Sequence, residues 1–534
     1  MKPVKRFGIG VDFGTDSVRT AVVSYESGIV VATTSAAYPR WKQGLYCKPE
    51  IAQFRQHPLD YQESLFHALS TLLADIGASQ KMQIGSIGVG ATGSTVAPVT
   101  EQGKPLSLLQ PFSDDPSAMF YLWKDHTATQ EAVKFNELCK EREVDYTKFQ
   151  GAYSSEWFWA KIAYAGKNSP HIRNGCSNWM ELCDWIVHLL TGSNCIRYRS
   201  QCAAAHKALW NSQFKGLPSL SFLETFDSYA AQVAQTYSPI PEDSTTMTGF
   251  LNKYWATELG LPDDVVVGGS SLDAHAGAVG AGIGEDVLVS VLGTSAVHMT
   301  LLPFGEEHTL DTITRFGGLA ENSIIPGYWG VESGQAAFGD VLAWFDRMLA
   351  PFTTNTPSLL SKLDGLIEKY TVGSEVTSLE WLNGRRYPDG SDNARGACIG
   401  ISLSTDAATL YGSLTNAILF GLKRIIEGMK QSGLNFTEIR ATGGIARKSP
   451  VLMQRFASIM NLPILALQEQ ETCALGAAMY GAVACGKYAS LQDAQKTMAA
   501  KEGSMYLPRD EEVTHFARLY ESYLQSATAL DALF

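Results

Sequence analysis

Two short stretches of this chain share one plan, and that repetition constrains the fold more than any other feature. Phe7-Gly-Ile-Gly-Val-Asp12 reads as an apolar strand, Phe13-Gly-Thr-Asp16 as a turn, and Ser17-Val-Arg-Thr-Ala-Val-Val23 as the returning strand. Asp286 to Leu292, Gly293-Thr294-Ser295 and Ala296 to Thr300 repeat the pattern far downstream. Val and Ile fit a pleated, half-buried surface, and Gly14 stands where a tight hairpin wants a residue without a Cβ. Two such hairpins predict a duplicated domain. Length agrees, because single cores stop growing near ~250–300 residues. A chain of 534 residues, 45% hydrophobic and 18% charged, is therefore expected to form two α/β domains. The boundary is expected near residue 265, just after Pro262-Asp-Asp264, giving domains over 1–265 and 266–534.

The segments around the hairpins add a coarse map. Leu59 to Ile76 carries apolar residues at helical spacing, and Ile84-Gly-Ser-Ile-Gly-Val-Gly90 reads as a buried strand feeding a Gly- and Thr-rich loop. Residues 121–210 are helix-rich and dense in tryptophan. Ile439-Arg-Ala-Thr-Gly-Gly-Ile445 reads as a strand ending in a double-Gly turn. Ser449 and Pro450 then supply the N-cap and first position of a helix over 451–461. A last helix, Cys473 to Ala484, is built largely of Ala and Gly. Such small residues permit close backbone approach, by another helix or by a ligand.

Charge and cysteine content exclude several classes. A net charge of −12 and a pI near 5.4 leave no basic stripe for nucleic acid or an anionic membrane. They leave ATP possible, since a few amides and cations hold a phosphate inside an acidic protein. Nine cysteines form no Cys-x-x-Cys and no zinc-type spacing, which reads as scattered thiols in a reducing compartment. Met1 to Arg6 runs into a strand with no apolar signal region, and no run approaches eighteen apolar residues. A cytoplasmic location is expected.

Several residues can carry chemistry. Backbone amides around Gly14 and Thr15 suit a phosphate, and Asp12 suits Mg²⁺ held through water. A plain β-turn explains a lone Asp-x-Gly equally well, but the second hairpin at Gly293-Thr294 makes a phosphate clamp the stronger reading. There is no Gly-x-x-x-x-Gly-Lys-Ser/Thr, which excludes a P-loop. Gly443 and Gly444, before a helix N-terminus, offer a third backbone surface for a nucleotide. Asp273, in Ser270-Ser-Leu-Asp-Ala-His275, is placed to accept a hydroxyl proton if the hairpin holds the phosphates. A helix N-cap is its plainer explanation, and His275 reads as a packing or orienting residue. Trp123 and Asp125 suit a sugar, with a ring to stack and a carboxylate to bond. Core packing is the alternative, because eleven tryptophans cannot all be ligand platforms. The stretch from Tyr153 to Lys161, with Trp157 and Trp159, divides the same way. Lys207, in an otherwise apolar run, either snorkels to solvent or faces an internal polar site. Glu332 and Gln335 read as site groups or as a helix start.

The joint order of these segments resembles the FGGY carbohydrate kinases of the actin/hexokinase/Hsp70-like ATPase superfamily. The resemblance runs from Gly10-Val-Asp-Phe-Gly-Thr15 to Leu475-Gly-Ala-Ala-Met-Tyr480 and includes Ala394-Arg-Gly396 and Thr442-Gly-Gly444 followed by Leu452-Met-Gln454. It implies two actin/hexokinase-like (ribonuclease H-like) domains with a central cleft, the sugar on the first and ATP mostly on the second. Thr92-Gly-Ser-Thr95, Leu122-Trp-Lys-Asp-His-Thr-Ala128 and Ser154-Ser-Glu-Trp157 look most like the L-ribulose-phosphorylating members. Glycerol kinases carry Arg-Glu where this chain has Gly93-Ser94, and Trp-x-Asp-Arg where it has Trp123-Lys-Asp-His126. The implied reaction is ATP-dependent phosphorylation of L-ribulose to L-ribulose 5-phosphate in L-arabinose catabolism. D-ribulose, xylulose or ribitol is the alternative acceptor, and a silent sugar-binding regulator the alternative of another class. Carried onto matching positions, the resemblance makes Asp273 the general base and gives Mg-ATP to Asp12, Gly14, Thr15, Gly293, Thr294, Gly443 and Gly444. It lines the sugar pocket with Ser94, Trp123, Asp125, Lys207 and Glu332, and it implies a homodimer.

Overall fold

The computed structural model of the chain describes residues 4–142, 144–192, 198–238, 240–306, 310–352, 363–367, 376–388, 390–391 and 393–533. They form two compact units. The first takes Met1–Gly282, Leu319–Gly330 and Glu471–Ala500; the second takes Ile283–Gly318, Val331–Gln470 and Lys501–Phe534. Residue 265, where the sequence places a boundary, stands directly before a strand of the first unit.

The first unit is built on a six-stranded sheet of β1 (Phe7–Phe13), β2 (Ser17–Ser24), β3 (Val30–Ala37), β4 (Ile84–Ala91), β5 (Met247–Phe250) and β6 (Val266–Leu272), in the order β5-β6-β4-β1-β2-β3. The expected hairpin is there: β1 runs antiparallel to β2, with Asp12 opposite Arg19 and Phe13 opposite Val18. β4 runs parallel to β1, with Gly90 beside Asp12, and β6 runs parallel to β4, with Leu272 beside Ala91. Asp12, the loop after β4 and the helix after β6 therefore emerge at one edge, the carboxyl ends of three adjacent strands. Ligands of open α/β sheets bind outside such ends.

Strand alternation decides what covers each face of this sheet. Ile9, Val11 and Phe13 join one core with Leu65, Leu69 and Leu72 of helix α1 (Pro58–Lys81). Gly10 and Gly88 face the other way, where the helix Thr472–Ala484 lies so close that a Cβ on either would strike its Ala474 or Ala477 carbonyl. The Ala/Gly composition of that helix thus serves contact with the sheet and with a second helix. A separate aromatic core packs residues 96–237, where Trp159 and Trp179 are fully buried with Phe135, Tyr153 and Phe222. Helix α2 (Phe158–Asn168) runs through this region, and α3 (Gln201–Lys207) and α4 (Asp273–Gly280) also belong to the unit.

The second unit repeats the plan. Its strands are β7 (Val287–Leu292), β8 (Ala296–Pro303), β9 (Tyr328–Gln335, within the unit from Val331), β10 (Glu438–Thr442), β11 (Ile464–Leu467) and β12 (Gly503–Tyr506). They are ordered β9-β8-β7-β10-β11-β12. β7 pairs antiparallel with β8 and parallel with β10; β11 is parallel to β10, and antiparallel β12 closes the edge. In the first unit β1, β2, β4, β6 and β5 hold the corresponding places with the same senses. The duplication that two hairpins indicate in the sequence extends to the order and senses of these five strands. Helices α5 (Ala407–Gln431), α6 (Gly444–Lys448) and α7 (Pro450–Met460) pack in this unit. Ser449 caps α7 as expected, its hydroxyl accepting from the Leu452 N–H at 3.3 Å with Pro450 at the first helical position.

Candidate active site

In the first unit the sheet edge gathers an acidic pair. Asp12 stands next to last in β1 at 3% exposure, and Asp273 opens α4 after β6, half-buried, its Oδ1 accepting from the Ala274 N–H at 2.8 Å. Burial and the Asp273 carboxylate push the Asp12 pKa up to about 7, against the opposing pull of Arg19, whose Nη1 lies 3.5 Å from Asp12 Oδ2. Among the described residues Asp12 Oδ1 has no hydrogen-bond partner. A buried carboxylate oxygen left unmatched beside a second carboxylate is what a hard cation corrects, so the donor set fits Mg²⁺ held by oxygen. Asp273 is the first residue of its helix, one position after the N-cap Leu272, whose side chain makes no cap hydrogen bond.

Around this pair stand most residues expected to meet a sugar. The Thr92–Thr95 loop leaves β4 with Ser94 in the left-handed region at φ 55° and 2% exposed. A Cβ at Gly93 would lie 3.0 Å from the Leu272 methyls and 3.3 Å from Lys207 Cε, so the Lys207 stem passes directly over this loop beside the start of α4. Lys207 Nζ also lies 5.5 Å from the Trp157 ring centre. That places Trp157, left undecided by the sequence, at the half-buried side of the site, whereas Trp159 is core and donates to the Ala208 carbonyl at 2.8 Å. The Trp123 Nε1 donates to Thr15 Oγ1 at 3.0 Å, joining the tryptophan to the phosphate-type hairpin.

Asp125 sits differently from the expectation. It is fully buried, its Oδ2 pairs with Arg55 and accepts from the Phe54 N–H at 2.7 Å, and its Oδ1 accepts from Thr127 N and Oγ1 at 3.2 and 2.5 Å. Four donors of the chain thus meet its two oxygens, an arrangement that anchors the loop presenting Trp123. One residue the sequence did not assign is central: Lys161, on α2 and fully buried, donates to the Ser94, Leu122 and Tyr121 carbonyls at 2.5, 2.8 and 3.4 Å. A lysine two positions after a core tryptophan on a helix facing an aromatic core was the available signal.

The second unit places its glycines together. The Gly293 N–H donates to the Ser295 carbonyl at 3.0 Å, closing the second hairpin as Gly14 closes the first by donating to Ser17 at 3.0 Å. Neither glycine has positive φ, and a Cβ would meet only one carbonyl oxygen, at 3.4 Å for Gly14 and 3.5 Å for Gly293. What glycine provides there is bare backbone open to a ligand. The Thr294 carbonyl accepts from the Phe338 and Asp340 N–H groups at 2.8 and 3.0 Å. Gly443 has φ 98° and lies against the Leu292 carbonyl, where no side chain fits, while a Cβ on Gly444 would meet nothing among the described residues within 4 Å. The second hairpin and the double-Gly turn thus meet at the carboxyl ends of β7 and β10. Glu332 lies half-buried on β9; burial, and after it the Glu332 carboxylate, push the Tyr387 phenol's pKa up. Gln335 is core, its Oε1 3.3 Å from His298 Nε2 and its amide donating to the Ile418 carbonyl at 3.0 Å. Both stand on a strand, which removes the helix-start reading.

Among the described residues no helix is long and apolar enough to cross a membrane. Residues 7–280 match the N-terminal domain, and residues 288–485 the C-terminal domain, of the FGGY family of carbohydrate kinases. The chain is 35% identical to a ribulokinase of Vibrio parahaemolyticus, over 96% of this chain and 94% of that one. It is 32% identical to a ribulokinase of Anoxybacillus flavithermus, over 97% and 93%. The crystal structure of xylulose kinase from Rhodospirillum rubrum superposes with a TM-score of 0.81 at 20% identity, covering 99% of each chain. Paired hairpins, a duplicated sheet order and full-length kinship agree: this chain is a member of the FGGY family of carbohydrate kinases, an ATP-dependent sugar kinase of two actin/hexokinase-like domains.

Proposed function

We propose that this kinase phosphorylates L-ribulose at its terminal hydroxyl, giving L-ribulose 5-phosphate in the cytoplasmic breakdown of L-arabinose. The observation that carries the reading is Asp273 at the head of α4, beside Asp12 and within the same sheet edge as the Gly93–Lys207 contact. Kinship with two ribulokinases supports the substrate, and Gly93-Ser94 in place of the Arg-Glu pair of glycerol kinases counts against glycerol. The first unit takes the sugar, with Ser94, Trp123 and Lys207 lining its site; Asp125 holds the Trp123 loop. The second unit takes most of ATP through Gly293, Thr294, Gly443 and Gly444, and the backbone of Gly14 and Thr15 suits phosphate oxygens. A homodimer is the assembly this family membership favours.

Phosphoryl transfer asks the protein for alignment and charge neutralisation rather than covalent help. Asp273 accepts the proton of the sugar hydroxyl and orients its oxygen toward the γ-phosphorus. Lys207 offsets negative charge near the acceptor, and the hairpin amides bond phosphate oxygens. Asp12 would hold Mg²⁺ through water, and the bound ion would supply neutralisation of phosphate charge. Asp273→Ala is expected to lower kcat by ~10²–10⁴ while leaving ATP binding intact. ADP release measured on L-ribulose, D-ribulose, xylulose, ribitol and glycerol checks both claims. Near-wild-type turnover in the variant would remove the base, and a better acceptor among the others would replace the substrate.

A further inference from the structure

Helices α3 and α4 each carry soft donors to one buried point of the first unit. Cys202 and His206 stand four residues apart on α3, hence on one face, and His275 lies in the first turn of α4. The three are 3%, 2% and 1% exposed, and the Cys202 Sγ and one imidazole nitrogen of each histidine lie within 4.8 Å of one another. The two Nε2 atoms are 3.0 Å apart. Two nitrogens bound to one tetrahedral zinc at ~2.0–2.1 Å stand ~3.3 Å apart, so the pair is already near ligand spacing.

The surroundings set the tautomer that a metal needs. Gln150 Nε2 donates to the Leu319 carbonyl at 2.6 Å, which turns Gln150 Oε1 toward His206 Nδ1 at 3.1 Å. A carbonyl oxygen only accepts, so His206 holds its proton on Nδ1 and directs the Nε2 lone pair at His275. A histidine ligand whose other nitrogen donates to a fixed carbonyl is the usual support of a metal centre.

We propose that Cys202, His206 and His275 bind one borderline-soft divalent cation, zinc by the chemistry of the donor set. Binding takes the proton from the Cys202 thiol and requires His275 to carry its own proton on Nδ1. One thiolate and two imidazoles favour zinc over Mg²⁺, which takes oxygen ligands, so the two ions do not compete for one site. Lys207 follows His206 directly, and Asp273 precedes His275 by two residues. The cation therefore fastens α3 to α4 next to both residues.

Cobalt chloride, as a spectroscopic stand-in for zinc, tests this on the full chain freed of metal with a chelator. One equivalent is expected, with a thiolate-to-cobalt charge-transfer band and intense tetrahedral bands, both lost when zinc chloride is added. Cys202→Ser is expected to abolish the charge-transfer band. Gln150→Leu, which leaves all three ligands, is expected to weaken cobalt binding by ~10–100-fold. Circular dichroism checks that each variant folds, and the wild-type stoichiometry, by elemental mass spectrometry after zinc loading, stands without any variant. A wild-type chain that takes up neither metal overturns the proposal and leaves a proton-sharing histidine pair. A charge-transfer band that survives in folded Cys202→Ser overturns it too, because another cysteine would then be the ligand.

Discussion

At the scale of single residues, the least expected feature is the work divided between Asp125 and Lys161. A Trp-x-Asp pattern reads as a sugar-binding pair, yet the carboxylate is buried against Arg55 and three chain donors. Lys161 holds two loops at once through the Ser94, Leu122 and Tyr121 carbonyls. Burial pulls its pKa down to about 7, while Glu156 and Glu181 favour the charged form. Three acceptor oxygens converging on Nζ mark it as an ammonium. Lys161→Met removes those bonds and leaves the carbonyls buried, a loss of ~3–5 kcal/mol by the measure of broken buried charge networks. Because Ser94 and Trp123 lose their anchor, KM for the sugar is expected to rise ~10-fold or more, with a smaller change in kcat. Urea unfolding and steady-state kinetics read the two effects separately; an unchanged KM would confine Lys161 to stability. Neither assignment was legible from spacing, since the partners of Asp125 and Lys161 lie up to 71 and 67 residues away.

Between elements, the helix Thr472–Ala484 shows why small residues recur in certain places. Gly10 and Gly88 on the sheet, and Gly476 and Gly280 on the two helices, all stand where a Cβ would strike a backbone carbonyl. Backbone atoms cannot step aside as a flexible side chain does, so one methyl here costs more than ordinary overpacking. Gly88→Ala is expected to cost ~3 kcal/mol or more and to lower Tm by several degrees. Gly365→Ala serves as the contrast, because among the described residues its Cβ would meet nothing within 4 Å and its φ is not positive. There the change is expected to be neutral or stabilising by up to ~1 kcal/mol. Scanning calorimetry on both variants checks the pair, and equal effects would mean that close approach does not govern the helix–sheet contact. The Ala/Gly run itself was readable in the sequence, together with the caps and the hairpins. What it packs against was not.

For the whole molecule, pH enters stability through buried carboxyls that the reaction does not use. Glu380, in the second unit, accepts from the Tyr523 hydroxyl at 3.0 and 3.1 Å, and burial pushes its pKa from 4.5 up to about 7. Between those two values the folded chain holds a proton that the unfolded chain has released. Stability therefore falls as pH rises from about 4.5 to about 7 and levels off above. The contribution is on the order of 1–3 kcal/mol. Glu380→Gln keeps an acceptor for Tyr523 and removes the titration. It is expected to raise Tm at pH 8 relative to wild type and to change it little at pH 5.5. Thermal melts of both proteins at the two pH values check this, and a variant that melts lower than wild type at pH 8 would show that the carboxylate is stabilising there.

The sequence by itself determined the parts that depend on neighbours along the chain: two Gly-Thr hairpins, the Ser449-Pro450 helix start, and the class of the fold. Hairpins, caps and strand alternation are local, and their physics acts within a few residues. Only the tertiary structure decided which elements each unit owns. Glu471–Ala500 belongs to the first unit although it follows most of the second. The meeting of Cys202, His206 and His275, and the three carbonyls gathered on Lys161, were likewise settled there. Those arrangements join residues distant in sequence, and no spacing pattern encodes which buried donor will find which acceptor once the sheet brings them together.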